Sequence, residues 1–163
     1  MSGFGDLNVL LVEDNVEMMK IIVKALECFG ITRVWTARDG EEGFSIFLKQ
    51  NPDLVITDWQ MDPIDGLEMC RWIRRNRLSP NRMVPIIMLS GYSALPRVAE
   101  ARDIGITEFM IKPFKAEEMA KKIMHVIDKP RDFVEARDFI GPDRRRRPED
   151  GYDGAERRGR GKR

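Results

Sequence analysis

Leu54-Val55-Ile56-Thr57-Asp58, followed by Trp59-Gln60-Met61-Asp62-Pro63-Ile64-Asp65-Gly66, is the stretch whose reading decides the fold. Four residues suited to a strand buried on both faces end in a carboxylate, and a turn-rich loop follows. Val and Ile fit a pleated surface, and the lack of polar alternation calls for helices above and below it. Asp58 therefore stands at the carboxyl end of a central strand. Open α/β sheets bind ligands there, because the helices that follow point their positive N-termini into the crevice. Asp also starts turns often, so Asp58 alone can be read as a turn residue. The rest of the chain separates the two readings.

On the amino side, Leu7 to Val12 is an apolar run closed by Glu13-Asp14-Asn15. Asn15 is placed to cap a helix through about Phe29, with Val16, Met19, Ile22, Val23 and Leu26 at helical spacing and Gly30 at its end. Thr32 to Ala37 reads as a second strand. Asp39-Gly40 opens a second helix, which Asn51-Pro52-Asp53 breaks. On the carboxyl side, Leu67, Cys70 and Ile73 mark a third helix with Arg71, Arg74 and Arg75 assigned to its outer face. Val84 to Leu89 reads as a strand ending in Ser90-Gly91, Pro96 to Ile104 as a helix, and Glu108 to Ile111 as a strand ending in Lys112-Pro113. A last helix runs to about Lys129. Five strands alternate with five helices, which predicts an α/β fold with a doubly wound parallel sheet. If the strand order is 2-1-3-4-5, the helices carrying Cys28 and Cys70 lie on opposite faces and a disulfide between them is impossible.

Four of the five strand ends carry chemistry. Glu13 and Asp14 follow strand one, Asp58 strand three, Ser90 strand four and Lys112 strand five. A parallel sheet brings all of these to one edge. Three carboxylates so close would raise one another's pKa unless a cation were bound. Oxygen ligands without Cys or His favour a hard divalent ion, and Mg²⁺ is the expected cofactor because it leaves positions for phosphate oxygens. Lys112 and Ser90 would then supply a positive charge and a hydroxyl to those oxygens. Singly, each residue also reads as a cap, a turn or a solvated lysine; their joint placement is what speaks for a site.

These motifs resemble the receiver domain of bacterial two-component response regulators, especially the receiver-only, chemotaxis-type members. The likeness runs from about Leu7 to Lys129 and is carried by Glu13-Asp14, Asp58 with Met61 and Gly66, Ser90-Gly91 and Lys112-Pro113-Phe114. It implies a flavodoxin-like fold and a phosphoprotein: Asp58 would accept a phosphoryl group from a phosphohistidine of a sensor histidine kinase or histidine phosphotransfer protein. Asp14, Asp58 and the main-chain carbonyl of Gln60 would hold Mg²⁺, with Glu13 helping through water. Ser90 and Phe109 would act as switch residues, Lys112 would pair with the phosphate, and the Lys112-Pro113 bond would be cis, as it often is in the family. The resemblance implies a signalling domain that assists only its own phosphorylation and dephosphorylation. Two rivals are a degenerate receiver used as a phosphorylation-independent scaffold and an aspartyl-phosphate hydrolase; the latter needs a second acid where Gln60 stands.

The sequence departs from the family pattern where Asp62 takes the place of the usual proline and Pro63 follows. Phe109 lacks the hydroxyl of a tyrosine. Trp59, beside Asp58, is expected to be partly exposed, Trp35 and Trp72 to be packing residues, and the lone histidine, His125, to lie at or near the surface without a metal.

Residues 5–129 thus form the expected receiver domain and 130–163 an Arg-rich tail. Lys and Arg number 28 against 27 Asp and Glu; the balance is +3 from Pro130 onward and −2 before it. The tail is read first as disordered, next as a docking segment anchored by Phe133, Val134, Phe139 and Ile140. Nucleic-acid binding is not expected, since acids dilute the arginines. The tail is too short for a helix-turn-helix output domain. No apolar run approaches the ~20 residues of a membrane span, no secretory signal pattern opens the chain, and cytoplasmic location is expected. The downstream protein target is not written in the sequence. Gln60 and Tyr92 are expected to shield the acceptor from water, so Tyr92→Ala should shorten the lifetime of a phosphoryl group on Asp58; an unchanged lifetime contradicts this.

Overall fold

A computed structural model describes residues 4–91, 96–130, 132–137 and 139–143. After a 3₁₀ turn at Phe4–Asp6, the chain forms β1 (Asn8–Val12), α1 (Val16–Cys28), β2 (Arg33–Ala37), α2 (Gly40–Gln50), β3 (Leu54–Asp58) and α3 (Gly66–Arg75). It continues through β4 (Ile86–Ser90), α4 (Val98–Ile104), β5 (Glu108–Ile111) and α5 (Ala116–Asp128), and ends in β6 (Phe133–Ala136) and β7 (Phe139–Pro142). The first five strands form a parallel sheet in the order β2-β1-β3-β4-β5. This is the doubly wound sheet that the alternation of elements predicts, in the flavodoxin-like order that the resemblance implies.

Alternate strand residues feed two cores, as the two-residue period of a strand requires. Leu10, Val12, Val55, Ile86 and Met88 pack with Phe47, Leu67, Met69, Cys70 and Ile73 on the face covered by α2, α3 and α4. Val9, Leu11, Ile56, Ile87 and Leu89 pack with Ile22, Leu26, Met119 and Ile123 on the α1 and α5 face. Cys28 is exposed and Cys70 buried, both as free thiols; burial pushes the Cys70 thiol up to about 12. Helix starts follow the expected capping chemistry. Asn15 accepts from Met18 N at 3.0 Å, Asp39 from Glu42 N at 2.9 Å and Asp65 from Glu68 N at 2.8 Å, each satisfying an amide that the first turn leaves unpaired. Gly30, at φ +88°, follows the end of α1.

Two features differ from the sequence reading. Arg74, assigned to the outer face of α3, is 1% exposed. Its guanidinium donates to Gly105 O at 3.0 and 2.8 Å and to the carbonyls of Arg82 and Val84 at 2.7 Å each. Arg74 falls four residues after buried Cys70 and eight after buried Gly66, so helical spacing puts it on the inward stripe and only its charge suggests otherwise. Burial lowers its pKa to about 10, which leaves it charged at neutral pH. The second difference lies past α5. Part of the tail is an antiparallel hairpin, β6 paired with β7, with Phe139 buried; the docking reading of this segment fits better than the disordered one. Arg144 to Arg163 lie outside the described residues.

Arg74→Ala would leave three carbonyls without their donor, those of Gly105 and Val84 buried and that of Arg82 partly so. Such a loss is expected to cost about 3–5 kcal/mol, measurable by urea denaturation. Arg74→Lys should recover little, since one ammonium cannot reproduce the planar fork.

Candidate functional site

The carboxyl ends of β1, β3, β4 and β5 bring the expected groups together. Glu13 follows β1 directly and is 1% exposed, whereas its neighbour Asp14 is exposed. Asp58 closes β3 with its side chain 13% exposed. One carboxylate oxygen from each of Glu13, Asp14 and Asp58 lies within 4.8 Å of the others. Lys112 Nζ sits between two of them, 3.0 Å from Glu13 Oε2 and 3.3 Å from Asp58 Oδ1.

Local hydrogen bonds fix these carboxylates. Trp59 N donates to Asp58 Oδ1 at 2.9 Å, and Asn15 N to Glu13 Oε1 at 3.2 Å. Behind Asp58, Gly66 N donates to Trp59 O at 2.9 Å. A Cβ at Gly66 would collide with the Asp58 carbonyl oxygen, so the first turn of α3 can close against the strand end only where a side chain is missing. The peptides Asp62-Pro63 and Lys112-Pro113 are both cis; the second was expected from the resemblance. Just before the first of these, Gln60 is exposed on the loop and Met61 is buried.

Burial raises the pKa of both acids. For Glu13, desolvation leads and the charge of Asp58 adds to it, while Lys112 pulls the other way. For Asp58, desolvation again leads, Lys112 opposes it and Asp14 adds a smaller rise. One ammonium does not offset three carboxylates in a partly dry cleft. The donor set is all oxygen, without a histidine or thiol, and the site is short of positive charge. Both properties suit a hard divalent cation.

Ser90 is the last residue of β4, where the sequence reading has it follow the strand, and is 2% exposed. Its hydroxyl has no hydrogen-bond partner among the described residues. Phe109, on β5, is half-buried. Tyr92 lies outside the described residues.

Trp59 corrects an expectation: it is buried, at 2% exposure, rather than partly exposed. The indole is enclosed by the Arg97 guanidinium, 5.0 Å from the ring centre, and by Phe109, with ring centroids 6.4 Å apart. Nothing in the local sequence marked Arg97, because its partner lies 38 residues upstream. Trp35 packs against the core, and Trp72 meets Phe44 edge-on at 5.5 Å. His125 is half-buried, 3.7 Å from Glu108 Oε1, and far in sequence from the acidic cluster.

Comparison with known proteins agrees with this geometry. Residues 9–124 match the response regulator receiver domain family, and the chain belongs to it. A probable transcriptional regulator of Guillardia theta is 34% identical over 119 residues, 73% of this chain and 44% of that protein. The chain thus spans about half the length of the transcriptional regulators it matches. The chemotaxis protein CheY of Pseudomonas aeruginosa is 26% identical over 123 residues, 76% of this chain and 98% of its own. Among solved structures, the receiver domain of a Pseudomonas aeruginosa sensor histidine kinase is 30% identical, with a TM-score of 0.65, over 73% of this chain and 95% of that one. That structure has a magnesium ion coordinated in its active-site cleft. The protein therefore contains a CheY-like receiver domain of two-component signalling, and no helix among the described residues is long and apolar enough to cross a membrane.

The raised acids give a stability prediction. A carboxyl whose pKa is higher folded than unfolded opposes folding once ionised. Its contribution is full below the ordinary carboxylate pKa of about 4 and is lost as pH rises through the raised value. In metal-free buffer at neutral pH, Asp58→Asn should melt a few degrees above the wild type, with the gap closing toward pH 4 or on adding Mg²⁺. Differential scanning calorimetry checks this, and equal or lower stability of the variant at neutral pH contradicts it.

Proposed function

We propose that the protein is a phosphorylation-controlled response regulator in which Asp58 is the phosphoacceptor. The donor is a phosphohistidine on a sensor histidine kinase or histidine phosphotransfer protein. An ionised Asp58 oxygen forms a bond to phosphorus as the phosphorus–nitrogen bond breaks, and the imidazole leaves with the bonding pair and takes a proton from water. What supports this reading above all is the position of Lys112, whose ammonium lies 3.0 Å from Glu13 and 3.3 Å from Asp58 at the mouth of the acidic cluster. From there it can follow a phosphoryl oxygen and stabilise charge as it develops.

Asp14, Asp58 and the Gln60 main-chain carbonyl would hold Mg²⁺, with Glu13 acting through water. When bound, the ion supplies positive charge to the carboxylates and to the phosphoryl oxygens. Asp58 is aimed by the Trp59 amide, at 2.9 Å from Oδ1. The Ser90 hydroxyl, buried and unpartnered among the described residues, gains an acceptor when a phosphoryl oxygen arrives. Its movement opens space that the half-buried Phe109 ring can take. Two positions of these residues make a two-state element that phosphorylation biases. The output is a change of protein contacts on the face made by α4, β5 and α5, toward a downstream protein target in the cytoplasm. Residues 5–129 carry this switch, which catalyses no reaction on a separate substrate. Gln60 and Tyr92 guard the acyl phosphate from water.

Intact mass spectrometry after addition of a small phosphodonor with Mg²⁺ tests the proposal. The wild type should gain one labile phosphoryl group, and should gain none without Mg²⁺ or as Asp58→Asn. Trp59 fluorescence should change in the same samples. A wild type that remains unmodified, or an Asp58→Asn protein that is modified equally, refutes it.

A further inference from the structure

The hairpin of β6 and β7 lies beyond the five βα units, yet it is built into the receiver. Asp143 N closes it onto Asp132 O at 2.6 Å, and β7 lies against α3 and α4. The approach is backbone to backbone. A Cβ on Gly141 would stand 2.6 Å from Gly105 Cα, and one on Gly105 would stand 2.5 Å from Ile140 O. Gly105 itself is at φ +106°, where a side chain is strained in any case. Phe139 is buried, and the ring of Phe133 has the Arg74 guanidinium 4.9 Å from its centre, within cation–π range.

Arg74 connects this contact to the acidic edge of the sheet. Its bond to Val84 O holds the chain just before β4, the strand that ends in Ser90. Its two bonds to Gly105 O hold the chain just before β5, the strand that leads to Lys112. Thr107 locks the same two strands to each other: its amide donates to Ile86 O at 3.0 Å, and its hydroxyl oxygen accepts from Ile86 N at 2.9 Å. At the far end, Lys112 N donates to Ser90 O at 2.8 Å. Strands of four and five residues inside a close-packed core cannot absorb a shift at one end, so they pass it to the other.

We propose that the Phe133–Pro142 hairpin is an intramolecular effector of the acceptor site. By covering Arg74 and bearing on Gly105, it sets how β4 and β5 lie against each other, and so where Ser90 and Lys112 stand. Arg74 is the positioning residue of this relay. The functional half of the proposal rests on Asp58 being the phosphoacceptor; the structural half does not. Linkage makes the effect reciprocal, so a phosphoryl group at Asp58 alters the docking of the hairpin.

The test is amide hydrogen exchange by mass spectrometry on the full chain as wild type, Gly141→Val and Phe139→Ala, with labelling by a small phosphodonor and Mg²⁺ in parallel. Both variants should exchange several-fold faster in peptides covering Ile86–Ser90 and Glu108–Lys112, with Asn8–Val12 unchanged. Their rate of labelling at Asp58 should shift several-fold. Faster exchange confined to the hairpin, faster exchange spread equally to Asn8–Val12, or altered strands with wild-type labelling each overturn the relay. Should Gly141→Val fail to fold, Phe139→Ala carries the test. A wild type that takes up no phosphoryl group refutes the acceptor reading instead, and the exchange of the two strands then decides the relay.

Discussion

Electrostatic repulsion at one edge of the sheet is the constraint on which the rest of the structure depends. Glu13, Asp14 and Asp58 converge there because parallel strands end side by side. Burial then makes the charges of Glu13 and Asp58 costly, and the ammonium of Lys112 offsets only part of that cost. A site with surplus negative charge and fixed oxygen donors is poised to take up a cation. Water and salt would dissipate the same repulsion on an open surface. The two packed helical layers are what keep it strong here.

The remainder of the fold holds the edge in register. Gly66 lets α3 close against the Asp58 carbonyl, Asn15 caps α1 and reaches back to Glu13, and the Trp59 amide aims Asp58. At the opposite edge Arg74 gathers the carbonyls that precede β4 and β5. The acidic end supplies the chemistry. The arginine end sets the geometry of the strands that carry Ser90 and Lys112.

Much of this was legible in the sequence, for physical reasons. Buried parallel strands are continuous apolar runs with a polar stop, so Asn8–Val12, Leu54–Asp58 and Ile86–Ser90 announced both themselves and the residues at their ends. Caps such as Asn15 and Asp39 act within three residues and are equally readable. Long-range contacts are not written locally. Arg74 looked like a solvated charge because its three carbonyl partners come from other turns of the chain, although its spacing from Cys70 held the clue. Trp59 looked exposed because Arg97 and Phe109, which enclose it, belong to later elements. The hairpin was hidden in a charged tail; the glycine that lets it dock, Gly141, has its counterpart at Gly105, on another element.

The most direct test of the central claim is to locate the phosphoryl group chemically. An acyl phosphate on a carboxylate is reduced by borohydride to an alcohol, which turns an aspartyl residue into homoserine and leaves a permanent mark. Peptide sequencing by mass spectrometry after treatment with a small phosphodonor, Mg²⁺ and borohydride should find homoserine at position 58 and nowhere else. Homoserine at position 14, or a phosphorylated protein in which position 58 remains aspartate, would contradict the account.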